Sequence, residues 1–146
     1  MITPADISDY PAIIDLWEHA VRATHHFLPE DYLQEIKILL PTILPHVTIY
    51  TWRDETNTLK GFAGVAENKM EMLFVHPDRR GQGIGRLLAE YCIHTLQADL
   101  VDVNEQNEQA VLFYKKIGYK EIGRCEVDGL GRPFPLLQLR YSREEH

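Results

Sequence analysis

Apolar residues recur at helical spacing at Ile13, Leu16, Trp17, Ala20 and Val21, behind Ser8 or Asp9 as a cap and Pro11 in the first turn. This predicts an amphipathic helix with one buried face. A second helix opens after Pro29, with Glu30 and Asp31 at its positive end and Leu33, Ile36 and Leu40 as its apolar stripe. Pro41 is expected to interrupt it. The period then changes to alternation, and residues 47–52, 59–66 and 70–75 form short β-rich runs between polar turns, which predicts an antiparallel meander.

Helical spacing returns after His76-Pro77-Asp78 at Ile84, Leu87, Leu88, Tyr91 and Cys92, followed by a brief strand at 99–103. A helix crossing between strands 70–75 and 99–103 makes those two strands parallel. Asn107 can cap a further helix through Ala110, Val111, Phe113 and Tyr114 to Ile117, with Lys115 and Lys116 at its negative end and Gly118 as its stop. Residues 119–127 and 134–141 read as a hairpin around Asp128-Gly129-Leu130-Gly131, and the charged residues after 141 are expected to fray. The order of elements predicts an α/β (α+β) class: a mixed sheet with helices packed on it.

The 146 residues and 45% hydrophobic content suit one domain spanning 1–146. A net charge of −7 supplies no diffuse positive field for phosphate backbones, so no nucleic-acid partner is expected. The longest apolar stretch, near 38–44, is broken by Pro41 and too short for a bilayer, and the first residues carry neither a basic start nor an apolar run. A cytoplasmic protein without membrane contact is the expectation. Cys92 and Cys125 are too far apart for a zinc or redox motif. The adjacent His25 and His26 lack further donors, so no metal is expected, and His19, His46, His76, His94 and His146 are read as surface residues.

The most informative segment is Arg79-Arg80-Gly81-Gln82-Gly83-Ile84-Gly85-Arg86, set between a strand and a helix. Glycines let the chain turn tightly and a ligand approach closely, while the first N–H groups of a helix lack internal partners. Such a start suits an anion, although an isolated glycine triple equally suits tight packing. No Lys-Ser or Lys-Thr follows, as a P-loop requires, and the glycine interval differs from that of a dinucleotide fingerprint.

Arg80, Gly83 and Gly85 match the pyrophosphate motif of the GNAT superfamily: Arg or Gln, two residues, Gly, one residue, then Gly or Ala. Leu73-Phe74-Val75-His76-Pro77 resembles that family's fourth strand and the turn behind it. Asn107, Ala110, Phe113, Tyr114, Gly118 and Tyr119 resemble its next conserved block. The run 103–110, with Ala23-Thr24-His25, more narrowly resembles small bacterial members of the YjaB type, a likeness that supplies no acceptor. The element order agrees along nearly the whole chain, provided the first strand is confined to the first few residues.

The resemblance implies a GNAT-like, mostly antiparallel sheet flanked by about four helices, with splayed parallel strands four and five. It implies acetyl-CoA as cosubstrate, bound by Leu73, Phe74 and Val75 along the pantetheine arm and by Arg80, Gly81, Gln82, Gly83, Ile84, Gly85 and Arg86 at the pyrophosphate. Arg79 is a further candidate there. Asn107 and Tyr114 would complete the cofactor site. Tyr114 stands where the family's usual general acid stands, protonating the CoA thiolate after direct attack by a neutral amine. Glu71 or Asp102 would act as base through water, with Glu71 favoured because strand alternation puts it on the face of Leu73 and Val75. His25, Phe27, Asp102 and Asn104 are candidates for the acceptor pocket. The acceptor is an amine on a small molecule or a protein, and exposed sheet edges allow a homodimer. The competing readings are a non-catalytic acyl-CoA-binding sensor or scaffold, and an interaction protein that kept only the fold.

Overall fold

The computed structural model describes residues 1–143. Strand β1 (Ile2–Pro4) is followed by helices α1 (Tyr10–Thr24) and α2 (Glu30–Ile43), then by strands β2 (Thr48–Arg53), β3 (Leu59–Ala66) and β4 (Lys69–Val75). Helix α3 (Ile84–His94), strand β5 (Leu100–Asn104), helix α4 (Glu108–Ile117) and strands β6 (Tyr119–Cys125) and β7 (Leu136–Tyr141) complete the order. One seven-stranded sheet runs β1-β2-β3-β4-β5-β7-β6. Every neighbouring pair is antiparallel except β4 and β5.

Alternation on the central strands sends side chains to two cores. Phe62 joins Ile13, Leu16, Trp17, Leu33 and Leu40 beneath α1 and α2, whereas Ala63 and Val65 join Leu88, Ala89, Cys92 and Ile117 beneath α3 and α4. Burial of the larger of these side chains, about 1.5–3 kcal/mol for each Val, Leu, Ile or Phe, fixes which sheet face each helix covers.

The parallel pairing of β4 with β5 covers only Lys69↔Leu100 and Met70↔Val101, while β4 stays paired with β3 up to Val75 and β5 with β7 along its length. The sheet therefore forks beyond Met70. Buried Leu88 and Cys92 hold α3 on one side of the fork, and buried Tyr114 and Ile117 hold α4 on the other.

Several expectations are corrected. Helix α2 continues through Pro41 to Ile43, and the Leu44 N–H still reaches the Leu40 carbonyl. One lost hydrogen bond near the helix end is outweighed by burial of Leu40 and Leu44 on either side. Asp9 occupies the N-cap position of α1 as expected but makes no capping bond to that helix; its side chain accepts from the Asp6 amide at 3.0 Å while Asp6 accepts from the Ser8 amide at 2.9 Å, a capping box that belongs to a 3-10 turn preceding the helix. Leu87 is more than half exposed, outside the buried stripe of α3.

The hairpin strands are shorter than expected because Asp128 accepts the amides of Leu130 and Arg132 and closes a loop, while Phe134 turns out to stack on Tyr32 at 5.2 Å. Ser142 and Arg143 are tied down, through the Gly118 carbonyl and Asp99. The expected fraying beyond them, and His146, lie outside the described residues. His76 is half-buried: it stacks on His19 at 5.2 Å and accepts from the Asp78 amide. No helix among the described residues is long and apolar enough to cross a membrane.

Candidate active site

Two adjoining cavities, which share part of their lining, occupy the fork. The larger, about 370 Å³, lies over the turn into α3. The smaller, about 170 Å³, lies between β4 and β5. His25, Leu73, Phe74, Asn107, Ala110 and Tyr114 line both, so they form the neck between the two spaces.

A 3-10 turn at Pro77–Arg79 leads into the glycine run, where Gly81 and Gly83 adopt φ of +80° and +81°. Glycine takes this left-handed conformation without the penalty a side chain brings. Consecutive amides from Gly81 to Arg86 then have no acceptor among the described residues, and Gly83 caps α3 without a side-chain bond. The positive end of the α3 dipole adds to them, and a helix start of this kind suits an anion. A β-carbon built at Gly81 or Gly83 meets nothing within 4 Å, whereas one at Gly85 makes ordinary contact with Phe113 and Val75 at 3.6 Å. Gln82 is exposed and lines neither cavity.

The three arginines are differently committed. Arg79 is paired with Asp54 at 3.1 Å, which spends it on fastening the turn to the loop after β2. Arg86 is paired with Glu90 at 2.8 Å. Arg80 donates to the neutral Gln109 at 2.7 Å and is exposed at the cavity, so it is the cheapest of the three to redirect toward an anion. Asp54 was not singled out from the sequence. Its signal is the Asp54-Glu55-Thr56 turn, in which the carboxylate accepts from Thr56 and Thr58 amides.

Leu73, Phe74 and Val75 lie along the β4 edge that β5 has left, with Ile84 buried behind them. Asn107 uses its carbonyl oxygen to cap α4 through the Ala110 amide at 3.3 Å, leaving the side-chain NH₂ as a donor. Tyr114 is buried, edge-on to Phe113 and Tyr119. Its hydroxyl has no hydrogen-bond partner, and no buried side-chain N or O atom among the described residues lacks one, so the hydroxyl opens onto a cavity. Burial, and secondarily Cys92, raise its pKa well above the ordinary phenol value.

Glu71, Asp102 and Asn104 line the smaller cavity. Glu71 is an exposed side chain whose carboxyl is partly desolvated, and this burial raises its pKa against the opposing pull of Lys69, with Asp102 adding a smaller raise. Asp102 is paired with Lys69 at 2.7 Å. The expected alternation does not carry through Glu71: the register passes from Gly64↔Met72 to Val65↔Met70, leaving Glu71 as the extra residue of a bulge.

His25 sits at the neck, its ring 5.4 Å from Phe27 and 6.4 Å from Phe74. Phe27 lines neither cavity; it buttresses His25 from behind and rests on Phe134 at 6.1 Å. Ala20, Ala23 and Thr24, at the end of α1, line the larger cavity and were missed as site residues because small residues on a helix carry no chemical signal of their own.

A model for the acetyltransferase (GNAT) domain matches residues 20–131. The peptidyl-lysine N-acetyltransferase YjaB of Escherichia coli K12 is 43% identical over 129 residues, 88% of this chain and 88% of that protein. The solution structure of apo-form YjaB from Escherichia coli matches with a TM-score of 0.88 and 39% identity, over 97% of this chain and 96% of that one. A GCN5-related N-acetyltransferase from Rhodopseudomonas palustris, 19% identical over 97% and 94% of the two chains, shares the fold with a TM-score of 0.77. With the forked sheet and the glycine turn into α3, these likenesses establish that the chain belongs to the GNAT family and is an N-acetyltransferase.

Proposed function

We propose that this protein, read as one domain, transfers the acetyl group of acetyl-CoA to a lysine side chain of a protein or peptide by direct attack of the neutral amine. The supporting observation is the row of amides from Gly81 to Arg86 that have no acceptor among the described residues, in a segment that lines the larger cavity beside the free edge of β4. A diphosphate fits that row, and an extended amide-bearing arm fits the edge as an added strand would. The lysine acceptor follows the activity named for the Escherichia coli relative.

Acetyl-CoA supplies an activated thioester when bound. The amides of Gly81 to Arg86 hold its diphosphate, with Arg80 released from Gln109 to join them. The backbone of Leu73 to Val75 and the Asn107 NH₂ hold the arm. An N–H near Phe74 or Val75 stabilises the charge that grows on the carbonyl oxygen. Tyr114, kept protonated by burial, donates to the departing sulfur. Because burial raises its pKa above the roughly 8.5 of a free thiol, full transfer to the thiolate is uphill and is completed only as the attacking nitrogen, which loses a proton on becoming an amide, returns one to the Tyr114 oxygen.

Presenting a lysine amine neutral at pH 7 costs about 4 to 5 kcal/mol from its reference pKa of about 10.4. Glu71, with its raised pKa, accepts that proton through water, whereas the Lys69 pairing commits Asp102 to holding the cavity wall.

The test is release of CoA thiol over a panel of lysine peptides and small amines, comparing the natural protein with Tyr114→Phe. Turnover of lysine peptides that collapses in the variant supports the reading. Tight acetyl-CoA binding without turnover of any amine would instead identify a sensor.

A further inference from the structure

His25 is the one imidazole at the neck of the two cavities among the described residues, and its hydrogen bonds determine which nitrogen is free. Nδ1 lies 2.7 Å from the Thr24 Oγ1. That same hydroxyl donates to the Ala20 carbonyl at 2.8 Å. A hydroxyl has a single hydrogen, so once it is given to Ala20 the oxygen can only accept from His25. Nδ1 therefore carries the ring hydrogen, and Nε2 is left as a bare lone pair.

Nε2 has no hydrogen-bond partner among the described residues. Since no buried side-chain N or O atom there is unpartnered, Nε2 is reachable from outside the protein matrix. Burial, followed by the neighbouring His26, lowers the His25 pKa from 6.5 to about 4, so the ring is neutral at pH 7. The ring is also held still: Phe27 and Phe74 flank it, Phe27 leans on Phe134, and Phe134 stacks on Tyr32, whose hydroxyl donates to Asp128.

We propose that His25 Nε2 receives the acceptor amine, taking a hydrogen bond from one of its N–H groups and so turning the nitrogen lone pair toward the thioester carbon. The inference rests on the reading of this protein as a lysine acetyltransferase. The neighbouring walls suit a lysine: Met70, Met72, Leu73 and Phe74 offer apolar surface for its methylene stem, and Glu71 stands on the same cavity. His25 orients and does not deprotonate. A group with a pKa of about 4 is too weak a base to strip an ammonium, so that task stays with Glu71 and water.

The experiment uses the whole protein, acetyl-CoA and Nα-acetyl-lysine methylamide as the probe. His25→Phe keeps an aromatic ring and removes the acceptor nitrogen. It should lower kcat/KM for the probe by about 10- to 100-fold while leaving acetyl-CoA affinity within about twofold. His25→Gln, which presents an amide oxygen, should recover much of the loss. In ¹⁵N spectra of the natural protein at pH 7, Nε2 of His25 should resonate as an unprotonated nitrogen and shift when the probe is added with CoA. Thr24→Val should mix the two tautomers.

Wild-type turnover with an equally active His25→Phe overturns this inference alone. An Nε2 that is protonated, or indifferent to the probe, overturns it even if His25→Phe fails to fold. A natural protein that binds acetyl-CoA and acetylates no amine overturns both this and the proposed function.

Discussion

The glycine cradle makes opposite predictions for two positions only two residues apart. Gly83 has a φ of +81° and open space where a β-carbon would stand, whereas Gly85 lies inside α3 with ordinary contacts available to a methyl group. In Gly83→Ala the left-handed conformation costs about 1–2 kcal/mol, which for a chain of this size lowers the melting temperature by roughly 2–8 °C. In Gly85→Ala the helix gains about 0.5–1 kcal/mol, and the melting temperature rises by roughly 1–4 °C. Binding should separate the pair further. Saturating acetyl-CoA at about 100 times its Kd stabilises the natural protein by roughly 2.7 kcal/mol. Gly85→Ala should keep that shift and Gly83→Ala should lose most of it, since Gly83 lines the larger cavity and its substitution disturbs the left-handed turn that sets out the amides. Thermal unfolding with and without acetyl-CoA reads both quantities. A full ligand shift in Gly83→Ala, or its loss in Gly85→Ala, would refute this assignment of the two positions.

Tyr114→Phe should reduce kcat by about 100- to 10,000-fold with acetyl-CoA affinity nearly unchanged; because its hydroxyl has no partner among the described residues, the melting temperature should barely move. Burial raises the Glu71 pKa, so the acid limb of kcat/KM should lie above the position an ordinary glutamate gives, and Glu71→Gln should abolish that limb together with most activity. The stability that Glu71 contributes is present below 4.5 and lost as pH rises through its raised value, a fall that Glu71→Gln should flatten. His25 has the opposite sign: the unfolded chain binds its proton more tightly, so stability should rise with pH between about 4 and 6.5, and the difference between the natural protein and His25→Phe measures that segment in urea unfolding.

What was legible in the sequence is what local backbone chemistry determines. Gly83 and Gly118 mark places where the chain takes positive φ, and the helix phase between the Asn107 cap and Gly118 puts Tyr114 on the inner face. The parallel relation of β4 and β5 followed from the helix between them. The rest depended on partners distant in sequence. Arg79 looked like an anion ligand until Asp54 claimed it, and Asp102 looked as free as Glu71 until Lys69 did. Pro41 survives in α2 because tertiary burial of Leu40 and Leu44 outweighs one missing hydrogen bond. The bulge at Glu71 is a property of the pairing between β3 and β4, which no periodicity within β4 alone contains.

In the function proposed above, the amides from Gly81 to Arg86 bind the diphosphate of acetyl-CoA. Hydrogen exchange, resolved by residue with and without saturating acetyl-CoA, tests it most directly. Those amides should become strongly protected together with the free edge of β4, while the amides of β1 and β6 at the two ends of the sheet stay unchanged. Tight binding that leaves residues 81–86 exchanging as before would contradict the account.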